Sequence, residues 1–175
     1  MSKQIAVLSD THGLLRPEVM EKIARCDAII HGGDINRQEI LDQLEKIAPV
    51  YVVRGNNDKQ WAENIPETLT FQIEECRFFM VHNKKFIPEE LTDIDAVIFG
   101  HSHRYFEKYV DGRLWLNPGS CGRRRFDQEI TFAMMTVEVY KFWLTRRCPK
   151  QKSFIICALV VSHRDRFYGW QEEWR

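Results

Sequence analysis

Three short apolar runs, each stopped by glycine and polar residues, dictate most of what this chain can fold into. Ile5 to Leu8 gives way to Ser9-Asp10-Thr11-His12-Gly13, Asp27 to His31 stops at Gly32-Gly33, and Val50 to Val53 stops before Gly55. Apolar runs this short, bounded by turn residues, read as buried strands. Between them, Pro17 to Arg25 and Arg37 to Ile47 carry apolar residues at helical spacing, among them Val19, Ile23, Ile40, Leu41 and Leu44. Pro17 suits a first helical turn. Strand, loop and helix, repeated three times, predict right-handed crossovers and a parallel sheet. Sites in such sheets form outside the carboxyl ends of the strands. Asp10, Asp34 and Asn56 all fall there.

The second half is built differently. Leu69 to Ile73 and Arg77 to His82 read as an antiparallel pair, and Ala96 to Phe99 as a buried strand ending at Gly100. Tyr105 to Val110 and Arg113 to Leu116 flank Asp111-Gly112, a strong two-residue hairpin signal. Ile130 to Val139 and Ser153 to Val161 are further strand candidates. A parallel half followed by a hairpin-rich half predicts two packed sheets with helices outside. No internal repeat or linker interrupts the chain, so residues 1–175 read as one domain, with 148–175 an added strand and tail. Phe167, Tyr168, Trp170 and Trp174 in that tail either cover the outer core or form a homo-oligomer contact.

Composition narrows the function. Lys+Arg and Asp+Glu are both 25, so no global field holds nucleic acid or an anionic membrane surface, and a stable nucleic-acid complex is not expected. The five cysteines are scattered without a Cys-x-x-Cys pair, which excludes a thiolate zinc site of the usual spacing and a disulfide framework. The opening residues enter a strand at once rather than a leader, and the longest apolar run, Phe154 to Val161, is too short to span a bilayer. A reduced cytoplasmic setting is the expectation.

The strand ends carry acids, histidines and an amide in a fixed order: Asp10-Thr-His12, Gly33-Asp34, Gly55-Asn56, His82, then Gly100-His101-Ser102-His103. Taken singly, most have ordinary readings. Asp10 and His12 fit a polar turn as well as an extended loop aiming both at one ion; Asp34 could cap the helix that follows. Asn56 suits a turn, and His82 a strand end. Two histidines separated by one small residue after Gly100 have fewer structural excuses. Together, two carboxylates, four imidazoles and one amide oxygen form a ligand set for two divalent metals, and burying them without a cation would be costly.

The series SDTHG, GGD, GNND, a strand-end His, GHSH and NPGS resembles the calcineurin-like metallophosphoesterase superfamily, in particular its small bacterial and archaeal phosphodiesterase branch. The motifs span Ile5 to Ser120, and the likeness extends to about Arg147. It implies an α/β fold, a four-layer α/β/β/α sandwich of two mixed sheets with flanking helices. It also implies that Asp10, His12 and His103 bind one metal and Asn56, His82 and His101 the other, with Asp34 bridging. Gly100 and Asn117 to Ser120 would shape the surrounding loops. The implied activity is in-line attack of a metal-bridging hydroxide on a small-molecule or nucleotide phosphodiester. Mn²⁺ is the first choice of ion, with Fe, Ni, Mg or Zn as substitutes. The scaffold subunit of retromer resembles the same branch, which makes a binding module the competing class; a nuclease or a dinucleoside polyphosphate hydrolase is the enzymatic alternative.

Departures from the family pattern refine this. Asn57 stands where many members carry a histidine, and an amide donates a hydrogen bond but no proton. With Asn56 and His101 it makes up the candidate catalytic group, suited to diesters with a good leaving group. Asn83-Lys84-Lys85 replaces the usual Gly-His after the strand-end histidine. Arg54, Arg123 and Arg124 are candidate substrate contacts. His31 reads as structural, and His163 lies outside every motif.

Overall fold

A computed structural model describes residues 2–124, 128–138 and 141–147, the last segment by its backbone alone. The C-terminal strand and tail expected over 148–175 lie outside the described residues. Ten strands and two helices make up the described fold: β1 Lys3–Leu8, α1 Pro17–Ile23, β2 Ala28–His31, α2 Gln38–Glu45, β3 Val50–Val52, β4 Thr68–Ile73, β5 Cys76–Val81, β6 Ala96–Ile98, β7 Tyr105–Val110, β8 Arg113–Pro118, β9 Phe132–Glu138 and β10 Lys141–Arg147. They form two five-stranded mixed sheets, ordered β10-β9-β1-β2-β3 and β4-β5-β6-β8-β7. In the first, β1, β2 and β3 are parallel and β9 runs antiparallel to β1, with Ile5 opposite Ala28 on one side and Met135 on the other. In the second, β5, β6 and β8 are parallel and the hairpin partners β4 and β7 are antiparallel.

Alternation along the strands assigns the layers. Ile5 and Val7 of β1, Ile30 of β2, Phe78 and Met80 of β5, Ile98 of β6, Leu116 of β8 and Met135 of β9 meet in the core between the sheets. The intervening residues Ala6, Leu8 and Ile29 face outward, against Val19 and Ile23 of α1 and Ile40, Leu41 and Leu44 of α2. On the far side, Phe79, Val81, Val97 and Trp115 pack against Ile87, Leu91 and Ile94. That fourth layer is the segment after β5, whose regular part is a short 3₁₀ turn, Lys84–Phe86. The two sheets of the expected sandwich are therefore present, with helices concentrated on one side.

Two expectations need correcting. The third strand-loop-helix unit has no α-helix: after β3 the chain makes a turn and a 3₁₀ turn, Gln60–Ala62, then crosses to the other sheet. The residues after β3 are used instead to organise loops, as described below. The edge strand β10 was not anticipated. Its Lys141, Arg146 and Arg147 flank an apolar run of only three residues, Phe142 to Leu144, and such charges are typical of sheet edges, where β10 lies among the described residues. The Asp111-Gly112 hairpin forms as expected, with positive φ at both residues (51° and 75°), the backbone of a type I′ turn. Among the described residues no helix is long and apolar enough to cross a membrane.

Candidate metal centre

Four of the singled-out residues follow strands of the first sheet and three follow strands of the second. Asp10 and His12 come after β1, Asp34 after β2 and Asn56 after β3; His82 directly follows β5, and His101 and His103 follow β6. Backbone hydrogen bonds knit the loops of the first sheet, from Asp10 N to Gly33 O (3.0 Å), His12 N to Asp34 O (2.9 Å) and Gly13 N to Ile35 O (2.8 Å). Gly100 N donates to His82 O at 2.9 Å in the second sheet. Between the sheets, His101 N donates to Asp10 Oδ2 (3.1 Å) and the Ser120 hydroxyl to Asp10 O (2.8 Å). The Asn117 amide donates to Gly100 O at 2.7 Å, fixing the loop that carries both histidines.

The backbone here is strained where the chemistry is. Asp10, His12, Asp34, His101 and His103 all adopt left-handed φ, between 47° and 69°. Asp10 and His12 are thus not in the extended loop expected for them. Their amides must reach the β2 loop while their side chains turn inward, and the left-handed conformation meets both demands. Asp and His tolerate it better than most residues, and strain of this kind collects at functional sites. Gly55 is required by close approach: a Cβ there would overlap the Asp34 carboxylate and backbone.

The inward-facing atoms form two overlapping groups. Asp10, His12 and His103 are buried with ligand atoms close enough to share one ion, and Asp10, Asp34 and His82 form a second such group. His12 Nε2 and His103 Nε2 lie 3.1 Å apart, and Asp10 Oδ1 lies 3.2 Å from His103 Nε2 and 3.8 Å from His12 Nε2. Asp34 Oδ2 stands between the groups, 3.8 Å from His12 Nε2 and 3.4 Å from His82 Nε2. His101 Nδ1 is 3.0 Å from Asn56 Oδ1, and its ring stands edge-on to that of His82 with centroids 5.3 Å apart. Asn56 and His101 therefore occupy the exposed rim, paired with each other rather than with the buried group. Asn57 donates to Asp34 twice, from its amide nitrogen to Oδ2 (2.6 Å) and from its backbone N–H to Oδ1 (2.8 Å).

These residues fit divalent cations. Asp10 Oδ1, His82 Nε2 and His103 Nδ1 are buried without a hydrogen-bond partner, each a group that is expensive to leave unsatisfied. His82 gives its Nδ1–H to Gly32 O at 2.7 Å, which presents Nε2 toward Asp34, the arrangement that orients a ligating imidazole. Burial opposes ionisation of Asp34, but the adjacent His82 imidazole, 3.4 Å away, and the two Asn57 donors outweigh it and hold the carboxyl well below the usual range. Burial likewise works to lower the His82 pKa, and Asp34 and Asp10 outweigh it and raise it. Both shifts describe a pocket that favours positive charge beside Asp34. His31 is different: burial pushes it down to about 4, it accepts from Gly33 N (3.2 Å), and its other nitrogen lies 3.1 Å from the Thr11 hydroxyl. It is a neutral strut beneath the loops.

The most consequential residue not singled out is Asp58. Its buried carboxylate accepts from Ile35 N (2.8 Å), Asn36 N (2.6 Å) and Gly55 N (2.8 Å), joining the loop of Asp34 to that of Asn56. An aspartate closing a Gly-Asn-Asn-Asp turn was the available signal. Ser9, whose hydroxyl donates to Asp10 Oδ2 at 2.7 Å, was also passed over. Of the candidate substrate contacts, Arg54 is paired with Glu67. Arg123 and Arg124 are exposed and border a cleft that reaches His103.

A sandwich of two mixed sheets with acids, histidines and an amide gathered at one end defines a metallophosphoesterase-type protein. Residues 4–139 match the model of the calcineurin-like phosphoesterase superfamily domain, and the chain belongs to that superfamily. A probable metallophosphoesterase of Methanothermobacter thermautotrophicus is 32% identical over 130 residues, 66% of this chain and 76% of that protein. A phosphodiesterase of Methanocaldococcus jannaschii is 29% identical over 140 residues, covering 67% and 84%. Among solved structures, vacuolar protein sorting 29 from Cryptosporidium parvum superposes with a TM-score of 0.77 at 20% identity, covering 92% of this chain and 98% of that one. The E. coli phosphoesterase YfcE gives 0.69 at 20% identity, covering 92% and 100%.

Proposed function

We propose that this protein is a phosphodiesterase that works with two divalent metal ions. The observation that carries the proposal is the pair of buried, unpartnered ligand atoms Asp10 Oδ1 and His82 Nε2 beside Asp34, with the imidazoles of His12 and His103 converging on Asp10. Asp10, His12 and His103 would hold one ion and His82 the other, with Asp34 lying between the two groups, and Asn56 and His101 would complete the second site from the rim. When bound, such ions clamp phosphoryl oxygens and lower the pKa of water to about 7, supplying a nucleophile at neutral pH. Mn²⁺ is the first ion to supply.

The chain's own groups set the rest. Asn57 holds Asp34 in place through both its hydrogen bonds, so its amide is committed to orientation. Neither Asn57 nor neutral His31 supplies a proton to a poor leaving group. Diesters whose leaving group departs unaided are the favoured substrates. The fold likeness to vacuolar protein sorting 29 favours a second reading, a binding module on the same fold, and turnover separates the two.

The test is hydrolysis of bis(p-nitrophenyl) phosphate and an alkyl phosphate monoester, by protein stripped with chelator and reloaded with Mn²⁺, Fe²⁺, Ni²⁺, Mg²⁺ or Zn²⁺. Metal-dependent cleavage with marked preference for the diester is expected, together with loss of turnover and of both ions in Asp34→Ala. No turnover with any ion, or preference for the alkyl monoester, refutes it.

A further inference from the structure

Three arginines gather on one flank of the metal centre. Arg123 and Arg124 border a shallow crevice against His103 with no room of its own for a water molecule, and Arg104 borders an adjoining cleft, also reaching His103, of about 160 Å³. That volume equals roughly five water molecules at liquid density. Elsewhere, Arg54 is paired with Glu67 and Arg77 with Asp93, whereas Arg104, Arg123 and Arg124 enter no ion pair among the described residues. Gln128 fixes the wall between the clefts: with its amide oriented to satisfy both neighbours, it donates to His103 O (2.7 Å) and accepts from Arg104 Nε (3.3 Å). Glu129 also lines the clefts and is engaged in an interaction of its own. In a chain with 25 cationic and 25 acidic side chains, this is a local concentration of charge rather than a reflection of composition.

We infer that the cleft beside His103 binds a second anionic group of the substrate, phosphate in kind, through Arg104, with Arg123 and Arg124 of the neighbouring crevice closing on it from the side. Guanidinium forks match the oxygens of a tetrahedral anion and stay charged at every physiological pH. Because His103 lies both in the metal centre and in the cleft walls, an anion held there stands next to the scissile phosphodiester. The inference rests on the proposed function and sharpens it: the substrate is a diester one of whose alcohols carries a further phosphate.

The test compares two chromogenic diesters, thymidine 5′-(p-nitrophenyl phosphate) with and without a 3′-phosphate. The 3′-phosphate is expected to lower KM about tenfold, the value of one charge-assisted hydrogen bond. Arg104→Ala and the pair Arg123→Ala with Arg124→Ala should each bring the KM ratio of the two diesters back to about one. Equal KM values in the native protein, or an intact preference in the variants, overturn the inference. A second arm is independent of turnover: calorimetric titration of metal-free protein with inorganic tripolyphosphate. Binding that the arginine variants lose supports the anion site even if no diester is cleaved, in which case only the proposed activity has failed. Absence of binding, or binding unchanged in the variants, refutes it.

Discussion

Replacing Asp58 tests whether the metal centre is assembled by its loops rather than by its ligands. The carboxylate is 7% exposed and accepts three backbone N–H groups from two loops. Hydrogen bonds to a charged acceptor contribute about 1.5–3 kcal/mol each, and bonds sharing one acceptor are not additive. Asp58→Ala should therefore cost about 3–5 kcal/mol. Asp58→Asn keeps one accepting oxygen and sets an amide N–H₂ against a backbone donor, so about 2–3 kcal/mol is expected. Asp58 itself is outside the proposed ligand set, yet both variants should bind the second ion more weakly, because Asp34 and Asn56 lose their relative placement. Urea denaturation of metal-free protein measures the first effect, and metal content after dialysis the second. A loss of stability below about 0.5 kcal/mol in the alanine variant, the range of ordinary surface substitutions, would refute the reasoning.

Two further outcomes follow from the same loops. The His31 pKa falls from 6.5 in the unfolded chain to about 4 in the folded one, so its contribution to stability is complete above about pH 6.5 and is lost as pH falls toward 4. Its upper limit is about 3 kcal/mol, and His31→Asn should flatten the dependence of Tm on pH across that window; an unchanged slope contradicts it. Gly55→Ala drives a methyl group into Asp34, so metal affinity should fall more than tenfold while the two sheets still form, as read by calorimetric metal titration and far-ultraviolet circular dichroism.

Local pattern announced the strands and the residues at their ends, because each apolar run is short and its terminus is marked by glycine. Asp10, Asp34 and Asn56 could be placed outside one sheet edge for that reason. Other features depend on pairings that spacing does not encode. The left-handed backbone of Asp10 and His12 follows from bonds to the loop after β2, and the Asp58 carboxylate acts on residues more than twenty positions earlier. Arg54 and Glu67 meet because the connection from β3 to β4 folds back on itself, Arg54 N donating to Pro66 O at 2.9 Å. Strand β10 has a pattern too brief and too charged to stand out, and becomes legible only as the neighbour of β9.

The division of the ligand set, four residues after one sheet and three after the other, has a mechanical consequence. Any cation held there acts as a rivet through the open end of the sandwich, so prying the layers apart means releasing it. Occupancy at a hundred times the dissociation constant adds about 2.7 kcal/mol against that separation for each ion. The protein's resistance to forced opening should then be set by how much metal the surroundings provide, making its durability a gauge of the ions around it.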